Sequence, residues 1–415
     1  MFYKETNFKE TPIGKIPKDW DVASLGDEKI SVLIKSGSTP LKRVKEYWNG
    51  GISFVTQADM TKADHYLYET SEKITEVGLK TSNLILVPEN SILLSMYGTI
   101  GEVIINKVPV AVSQNIAAII LNKKNVSEEY LYYAIQKYSS QFKRQAKAIT
   151  LKHLDIKIVK NTLLPFPSFF EQQKIAEILS TVDEAIQKTN EVTAKTERLK
   201  KGLMQELLTK GIGHKEFKDT EIGRIPKEWE VVRLGNIAEI IMGQSPPSST
   251  YNEEGKGLPF LQGKMEFGEV YPSPISYCSQ PIKMAEPNDI LISVRAPVGD
   301  VNVAPFKLCI GRGLAAIRFN PQKAIYWFYF YYLQKIKNFL ENLGKGSTFK
   351  AITKDDLENL KIPYLSFPEQ QKIAEILIAI DKKLEIEKSE KAKLERIKQG
   401  LMDLLLTGKI RVKVN

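Results

Sequence analysis

Cysteine and histidine are scarce in this chain of 415 residues: two of the first, Cys278 and Cys309, and three of the second, His65, His153 and His214. The cysteines are far apart and confined to the second half, which excludes a disulfide framework and a paired zinc site. No histidine has another Cys or His at ligand spacing, so a metal centre is not expected. Long apolar runs are missing as well. The most apolar stretches, Leu84–Val87, Ile92–Met96 and Ile116–Leu121, are strand-length, and the start MFYKETNFKE is charged. Neither a membrane span nor a secretion signal is expected, and a reducing cytoplasm is the simplest location.

Motifs that carry chemistry are also lacking. An adenine methyltransferase needs a glycine-rich cofactor loop and an Asn/Asp-Pro-Pro-aromatic string, but the only Pro-Pro pair, Pro246-Pro247, follows Ser245. Gly344-Lys345-Gly346-Ser347-Thr348 lacks the order of a phosphate-binding loop and reads as a turn. Asp355 and Asp356 follow Thr353 in a Thr-x-x-Asp arrangement, which reads as a helix N-cap rather than a catalytic carboxylate pair. No catalytic residue is therefore assigned.

What is present is a duplication. Residues 8–26 and 217–235 match at twelve of nineteen positions, and EQQKIAEIL occurs verbatim at 171–179 and 369–377. With 43% apolar and 26% charged residues the chain is ordinary globular protein, and its net charge of +10 favours an anionic partner such as nucleic acid. That charge is spread along the chain, which suits phosphate-contacting surfaces on folded domains better than a basic tail.

Each copy follows one plan. Short runs rich in Val, Ile, Tyr and Phe read as strands: Ser53–Thr56, Asn90–Met96, Glu102–Ile105 and Ala117–Leu121, then Pro259–Gln262, Asp289–Val294, Asp300–Val303 and Ala315–Phe319. A helix is expected next in each, over Ser127–Ala146 and Gln322–Leu343. Long helices with apolar seams come next, through Ile175, Leu179, Val182, Ile186, Leu203 and Leu207, and through Ile373, Leu377, Ile380, Leu384, Leu401 and Leu405. Pro167 and Pro368 suit their starts, and Gly211 and Gly408 their ends. Both seams turn polar in the middle, at Thr189, Thr193 and Thr196 and at Glu387 and Lys391. A helix of this kind, roughly 57 Å long at 1.5 Å per residue, exposes its seam unless partnered, so the two are expected to pair antiparallel. The expected fold is α+β: two similar strand-rich α/β domains separated by two long antiparallel helices in a pseudo-twofold arrangement. The expected divisions are 1–168, 169–210, 211–366 and 367–415.

The paired Ile-Gly-x-Ile-Pro-x-x-Trp openings, the Glu-Gln leads into similar long helices and the divergent strand-rich regions together resemble the specificity subunit of a type I restriction-modification system. The resemblance spans essentially the whole chain. It implies a non-catalytic subunit whose strand-rich regions are target recognition domains for a bipartite double-stranded DNA site, with the gap set by the helix pair. It also implies two modification subunits that use S-adenosylmethionine to methylate adenine N6, and restriction subunits that use ATP and Mg to translocate and cut. Those cofactors belong to the partners, and none is expected in this chain. The recurrence of Gln172, Gln173, Lys174 and Glu177 as Gln370, Gln371, Lys372 and Glu375 is read as a repeated exposed contact with two identical partners. A stand-alone DNA-binding regulator would need no such repeated face. A scaffold binding only protein would show little of the salt dependence that phosphate contacts bring.

Base edges in the major groove call for Arg, Asn or Gln. Polar side chains at strand ends supply Gln57, Tyr97, Gln114 and Asn115 in the first domain, and Gln262, Lys264, Arg295 and Arg312 in the second. The exchange of Gln114-Asn115 for Arg312-Gly313 at aligned positions predicts that the two half-sites differ. Lys42, Arg43, Lys143, Arg144, Lys345 and Lys350 are assigned to phosphates, which position the protein without specifying sequence.

Overall fold

The structure, a computed structural model, describes residues 2–142, 153–343 and 351–413. The phosphate candidates Lys143, Arg144, Lys345 and Lys350 and the turn at Gly344–Thr348 lie outside the described residues. The chain divides into two compact units, Met1–Asn190 with Glu390–Asn415, and Glu191–Ser389.

In the first unit the opening repeat forms a hairpin, Phe8–Thr11 with Gly14–Pro17. A five-stranded sheet runs in the order Ser31–Ser36, Ile116–Leu121, Ile92–Ser95, Val103–Asn106, Tyr66–Leu67; beside it a three-stranded sheet has Trp48–Val55 between Val110–Val112 and Glu72–Ile74. Ile92–Ser95 and Val103–Asn106 are buried at every position, so these strands read as unbroken apolar runs instead of alternating ones. The helix Glu128–Tyr138 closes the core with Tyr130, Leu131, Tyr133 and Ile135.

The second unit repeats this plan. Its hairpin is Phe217–Thr220 with Gly223–Pro226, and its four-stranded sheet orders Ala238–Met242, Leu314–Phe319, Ile290–Ser293 and Val301–Val303. All eight strands expected from sequence are present within a few residues of the stated limits. The helix expected over Gln322–Leu343 is instead two, Tyr326–Lys335 and Lys337–Leu343, because the backbone breaks at Ile336. The two cysteines, distant in sequence, share one buried cluster with Phe260; burial is the main cause that pushes the Cys309 thiol up to about 11.

The long helices are Phe169–Lys210 and Phe367–Leu405. Gly211 and Gly408 follow them in the left-handed region, at φ +64° and +67°. A Cβ there would stand 2.5 Å from the Glu369 carboxylate or 2.3 Å from Pro17, so both conformation and space require glycine. Within each unit the helix segments run antiparallel and carry the same polar tie. In the first, Lys398 pairs with Asp183 at 2.7 Å, and Asp183 accepts from the Tyr133 hydroxyl at 2.8 Å. In the second, Lys200 pairs with Asp381 at 2.6 Å, and Asp381 accepts from Tyr331 at 2.7 Å. Burial first, and the neighbouring carboxylate second, raise the pKa of both phenols, so each stays a donor. The polar middle of the seams is internally bonded in the second unit, where buried Thr196 donates to Glu387 at 3.0 Å.

Asp59, 4% exposed, shows how polar groups enter these cores. One carboxylate oxygen accepts from Thr56 N and Oγ1, and the other from Ser71 N and Oγ, all at 2.7–2.9 Å. Burial alone would raise its pKa; the four hydrogen bonds outweigh burial and hold it below 3.8. A depressed pKa means stability that is present above the unfolded value and lost as pH falls through the folded one. Thermal unfolding measured from about pH 5 down to pH 2 is therefore expected to fall less steeply for Asp59→Asn than for the wild type. Parallel curves would remove this carboxylate from the acid response.

Candidate nucleic-acid interface

Each unit gathers the ends of four strands into one loop cluster, and the sequence candidates lie within it. In the first unit, Gly37 N donates to Ile116 O at 3.2 Å, Ser113 N to Val55 O at 3.0 Å, and Met96 N to Asn115 O at 2.8 Å. Loops around residues 37, 57, 97 and 114 are thereby brought side by side. The second unit reproduces the bonds: Gly243 N to Leu314 O at 2.9 Å, Gly311 N to Leu261 O at 2.8 Å, and Val294 N to Gly313 O at 2.9 Å. A Cβ on Gly37 would lie 1.7 Å from Val112 O, and one on Gly243 would lie 2.1 Å from Gly311 O, so glycine alone allows the strand end to approach this closely.

Within this shared frame the side chains differ. Tyr97, 47% exposed, and Gln114 project from neighbouring loops of the first unit, with Asn115 half-buried beside them. Gln114 is hydrogen-bonded by Thr39. Gln57 is more committed: its amide donates to Thr99 Oγ1 at 2.6 Å and accepts from Ser95 Oγ at 3.1 Å, so it ties loops together instead of presenting a free fork. In the second unit Gln262 donates to Ser245 Oγ at 2.8 Å, and the same hydroxyl accepts from Arg312 N at 3.3 Å. Arg295 and Arg312 are exposed, and neither guanidinium has a hydrogen bond or ion pair among the described residues.

Lys264 departs from its expected role. Its ammonium pairs with Asp300, which Lys337 also holds at 2.6 Å; burial raises the Asp300 pKa, and the two lysines more than reverse that. Lys264 is thus removed from the free donors. Lys42 likewise pairs with Glu72 at 2.7 Å, whereas Arg43 is exposed and unpaired among the described residues. Thr39 and Ser245 were missed by sequence reasoning. Their only signal is a small hydroxyl residue two positions beyond a glycine at the end of a strand in both copies.

The repeated helix start requires a correction. Gln172 and Gln370 are not exposed: both are 0% accessible. Gln172 accepts from Ser127 N at 3.1 Å and donates to Asn125 O and Pro167 O at 3.2 and 3.0 Å. Gln370 accepts from Ile325 N at 2.8 Å and donates to Lys323 O and Leu365 O at 3.4 and 2.9 Å. Buried backbone groups need such partners, so internal bonding accounts for these two recurrences without a partner subunit. The preceding residue does the same. Glu171 accepts from Trp20 Nε1 at 3.0 Å and Glu369 from Trp229 Nε1 at 3.1 Å, which locks the two repeated motifs of each copy to one another. Gln173, Lys174 and Glu177, with Gln371, Lys372 and Glu375, are exposed in both copies.

The Thr353 cap is present as expected: Asp356 N donates to Thr353 Oγ1 at 3.2 Å, and Thr353 N donates to Asp356 Oδ2 at 2.9 Å. Among the described residues no helix is long and apolar enough to cross a membrane.

Comparison with known proteins accords with this duplicated geometry. The family model for the type I restriction modification DNA specificity domain matches twice, over residues 17–198 and 226–396. The putative type I restriction enzyme MjaX specificity subunit of Methanocaldococcus jannaschii is 46% identical over 100% of this chain and 99% of its own. The MjaVIII specificity subunit of the same organism is 32% identical over 100% and 98%. A solved chain from work on complex assembly and conformational transition of the type I R-M system is 28% identical, with TM-score 0.61 over 95% of this chain and 99% of that one. The S subunit from M. genitalium, 17% identical with TM-score 0.61 over 95% and 97%, shares the fold. Two loop clusters on one repeated frame, two family matches and full-length relatives converge: the chain belongs to the family of type I restriction-modification DNA specificity subunits.

Proposed function

We propose that this specificity subunit reads a split DNA site, one half per unit, and that the helix pair sets the unread gap. The observation that carries this is the loop cluster built twice with the same backbone bonds and different side chains: Tyr97 and Gln114 in one, Arg295 and Arg312 in the other. A frame kept constant while its polar tips change is what reading two different half-sites requires. Arg43 serves phosphate in this reading.

The chain itself is a non-catalytic component. It directs two modification subunits that transfer a methyl group from S-adenosylmethionine to adenine N6, and restriction subunits that use ATP and Mg. The exposed repeated residues Gln173, Lys174 and Glu177, with Gln371, Lys372 and Glu375, form the docking face for the modification subunits.

Inserting one heptad in each long helix, at matched positions in the seam, adds about 10 Å. The gap in the methylated motif, mapped by single-molecule sequencing of host DNA, is then expected to lengthen by roughly three base pairs at 3.4 Å each. A motif that kept its original gap would reject the ruler.

A further inference from the structure

The strands Ile290–Ser293 and Leu314–Phe319 pair antiparallel with Ser293 opposite Leu314. The ladder continues one step to Val294 and Gly313, joined N to O at 2.9 Å. Beyond that bond the two chains part: Arg295 bridges to Ala351, and Arg312 lies in the turn closed by Leu314 N to Gly311 O at 3.0 Å, so the two arginines sit on neighbouring loops of one cluster. In the first unit Ser95 lies opposite Ile116 and Met96 N bonds Asn115 O, so Tyr97, which bridges to His153, and Gln114, in the turn closed by Ile116 N to Ser113 O, hold the equivalent places.

Two exposed cations on adjoining loops repel. Two arginines have carboxylate partners, Arg318 with Asp289 at 2.8 Å and Arg411 with Glu5, Asp19 and Glu171, whereas exposed Arg43, Arg224 and Arg233 have none among the described residues. Here too the fold supplies none among the described residues, and residues 344–350, which precede Ala351, include no Asp or Glu in their sequence. The backbones are nonetheless held. Arg295 bridges to Ala351, and Arg312 N donates to Ser245 Oγ at 3.3 Å. Fixed stems with free forks suit a ligand rich in paired acceptors.

We propose that the second unit reads guanine, with Arg295 and Arg312 each placing a guanidinium fork on the O6 and N7 edge of a guanine, while the first unit reads no guanine at the equivalent position. This deepens the proposed function and rests on it. The fork geometry matches that edge in the major groove, where a phenol has one donor and an amide carries both of its N–H donors on a single nitrogen, so neither offers two parallel donor nitrogens.

The test uses the full chain co-expressed with its modification subunit, with methylated motifs mapped for the wild type, Arg295→Gln, Arg312→Gln and the two Arg→Lys variants. The wild-type motif is expected to carry guanines in one half-site. The Gln and Lys variants should relax those positions and leave the other half and the gap unchanged. Duplexes carrying 7-deazaguanine at those positions should bind the wild-type complex roughly 5- to 150-fold more weakly per position. The inference is overturned if the Lys variants keep full guanine discrimination, or if the Gln variants lose affinity equally on every sequence with a shallower salt dependence, the mark of phosphate contacts. A split motif without guanine in either half removes this inference alone, whereas the absence of any split motif removes the parent reading as well.

Discussion

Arg411→Ala is expected to destabilise the first unit by about 3–5 kcal/mol, the cost of breaking a buried ion pair by removing one partner. Arg411 is 8% exposed; its guanidinium reaches Glu171 at 2.6 and 2.9 Å, Asp19 at 2.8 and 2.9 Å and Glu5 at 2.8 Å. Glu171 is 2% exposed, so without Arg411 its charge keeps only the Trp20 indole, whereas Asp19 is largely solvated and loses little. Burial opposes the charge on Arg411, and the bonds to Glu171 and Asp19 overcome it, leaving its pKa raised and the cation permanent. At this domain size the loss corresponds to a fall in thermal midpoint of roughly 10 °C. Adding Glu171→Gln to Arg411→Ala removes the stranded charge and should recover part of the loss. If the double variant were no more stable than Arg411→Ala, the ion pair would not be the source. His214 holds the equivalent place in the second unit, at 2.8 Å from Glu369, and His214→Ala should cost less because Glu369 is more exposed.

The second large effect is expected at Gln172 and Gln370. Replacing either by Leu keeps approximate volume but deletes three hydrogen bonds to backbone groups, of which two are buried for Gln172 (Ser127 N and Pro167 O) and one for Gln370 (Leu365 O), and each orphaned buried group costs about 1–3 kcal/mol. A loss of about 2 kcal/mol or more is expected for Gln172→Leu and of about 1–3 kcal/mol for Gln370→Leu, read as thermal unfolding of the isolated chain. Gln173→Ala and Gln371→Ala, on the exposed face, should stay within about 0.5 kcal/mol in stability and weaken association with the modification subunit. Were Gln172→Leu to leave stability unchanged while abolishing that association, the partner-contact reading of this residue would be restored.

The contrast between Gln172 and Gln173 shows where sequence reading stops. Both are polar residues at the start of an amphipathic helix, and their recurrence flagged both. What separates them is that the partners of Gln172 are backbone atoms of residues 125, 127 and 167, and main-chain groups leave no trace in side-chain identity. Strands were legible because their apolar runs are bounded by turn residues, and the helix ends because Gly211 and Gly408 announce them. The loop cluster was legible in part. Arg295 and Arg312 stood out by type, but their placement on neighbouring loops needed the register of Ser293 against Leu314 and the bond from Val294 N to Gly313 O. The salt bridge that occupies Lys264 needed Asp300, thirty-six positions away, to be folded against it. The best unused signal was joint recurrence: Trp20 with Glu171 and Trp229 with Glu369 repeat together because each pair is bonded.

That bonded pair makes the recognition module exchangeable. The indole and the backbone atoms that Gln172 or Gln370 clasps lie before the run EQQKIAEIL, while the carboxylate and the amide lie inside it. A chimera spliced within the run would join the upstream half of one copy to the downstream half of the other and still find an acceptor for its tryptophan and an amide for its backbone. A lineage that recombines there can acquire a new DNA specificity in one step without having to reinvent the seat on which the module rests.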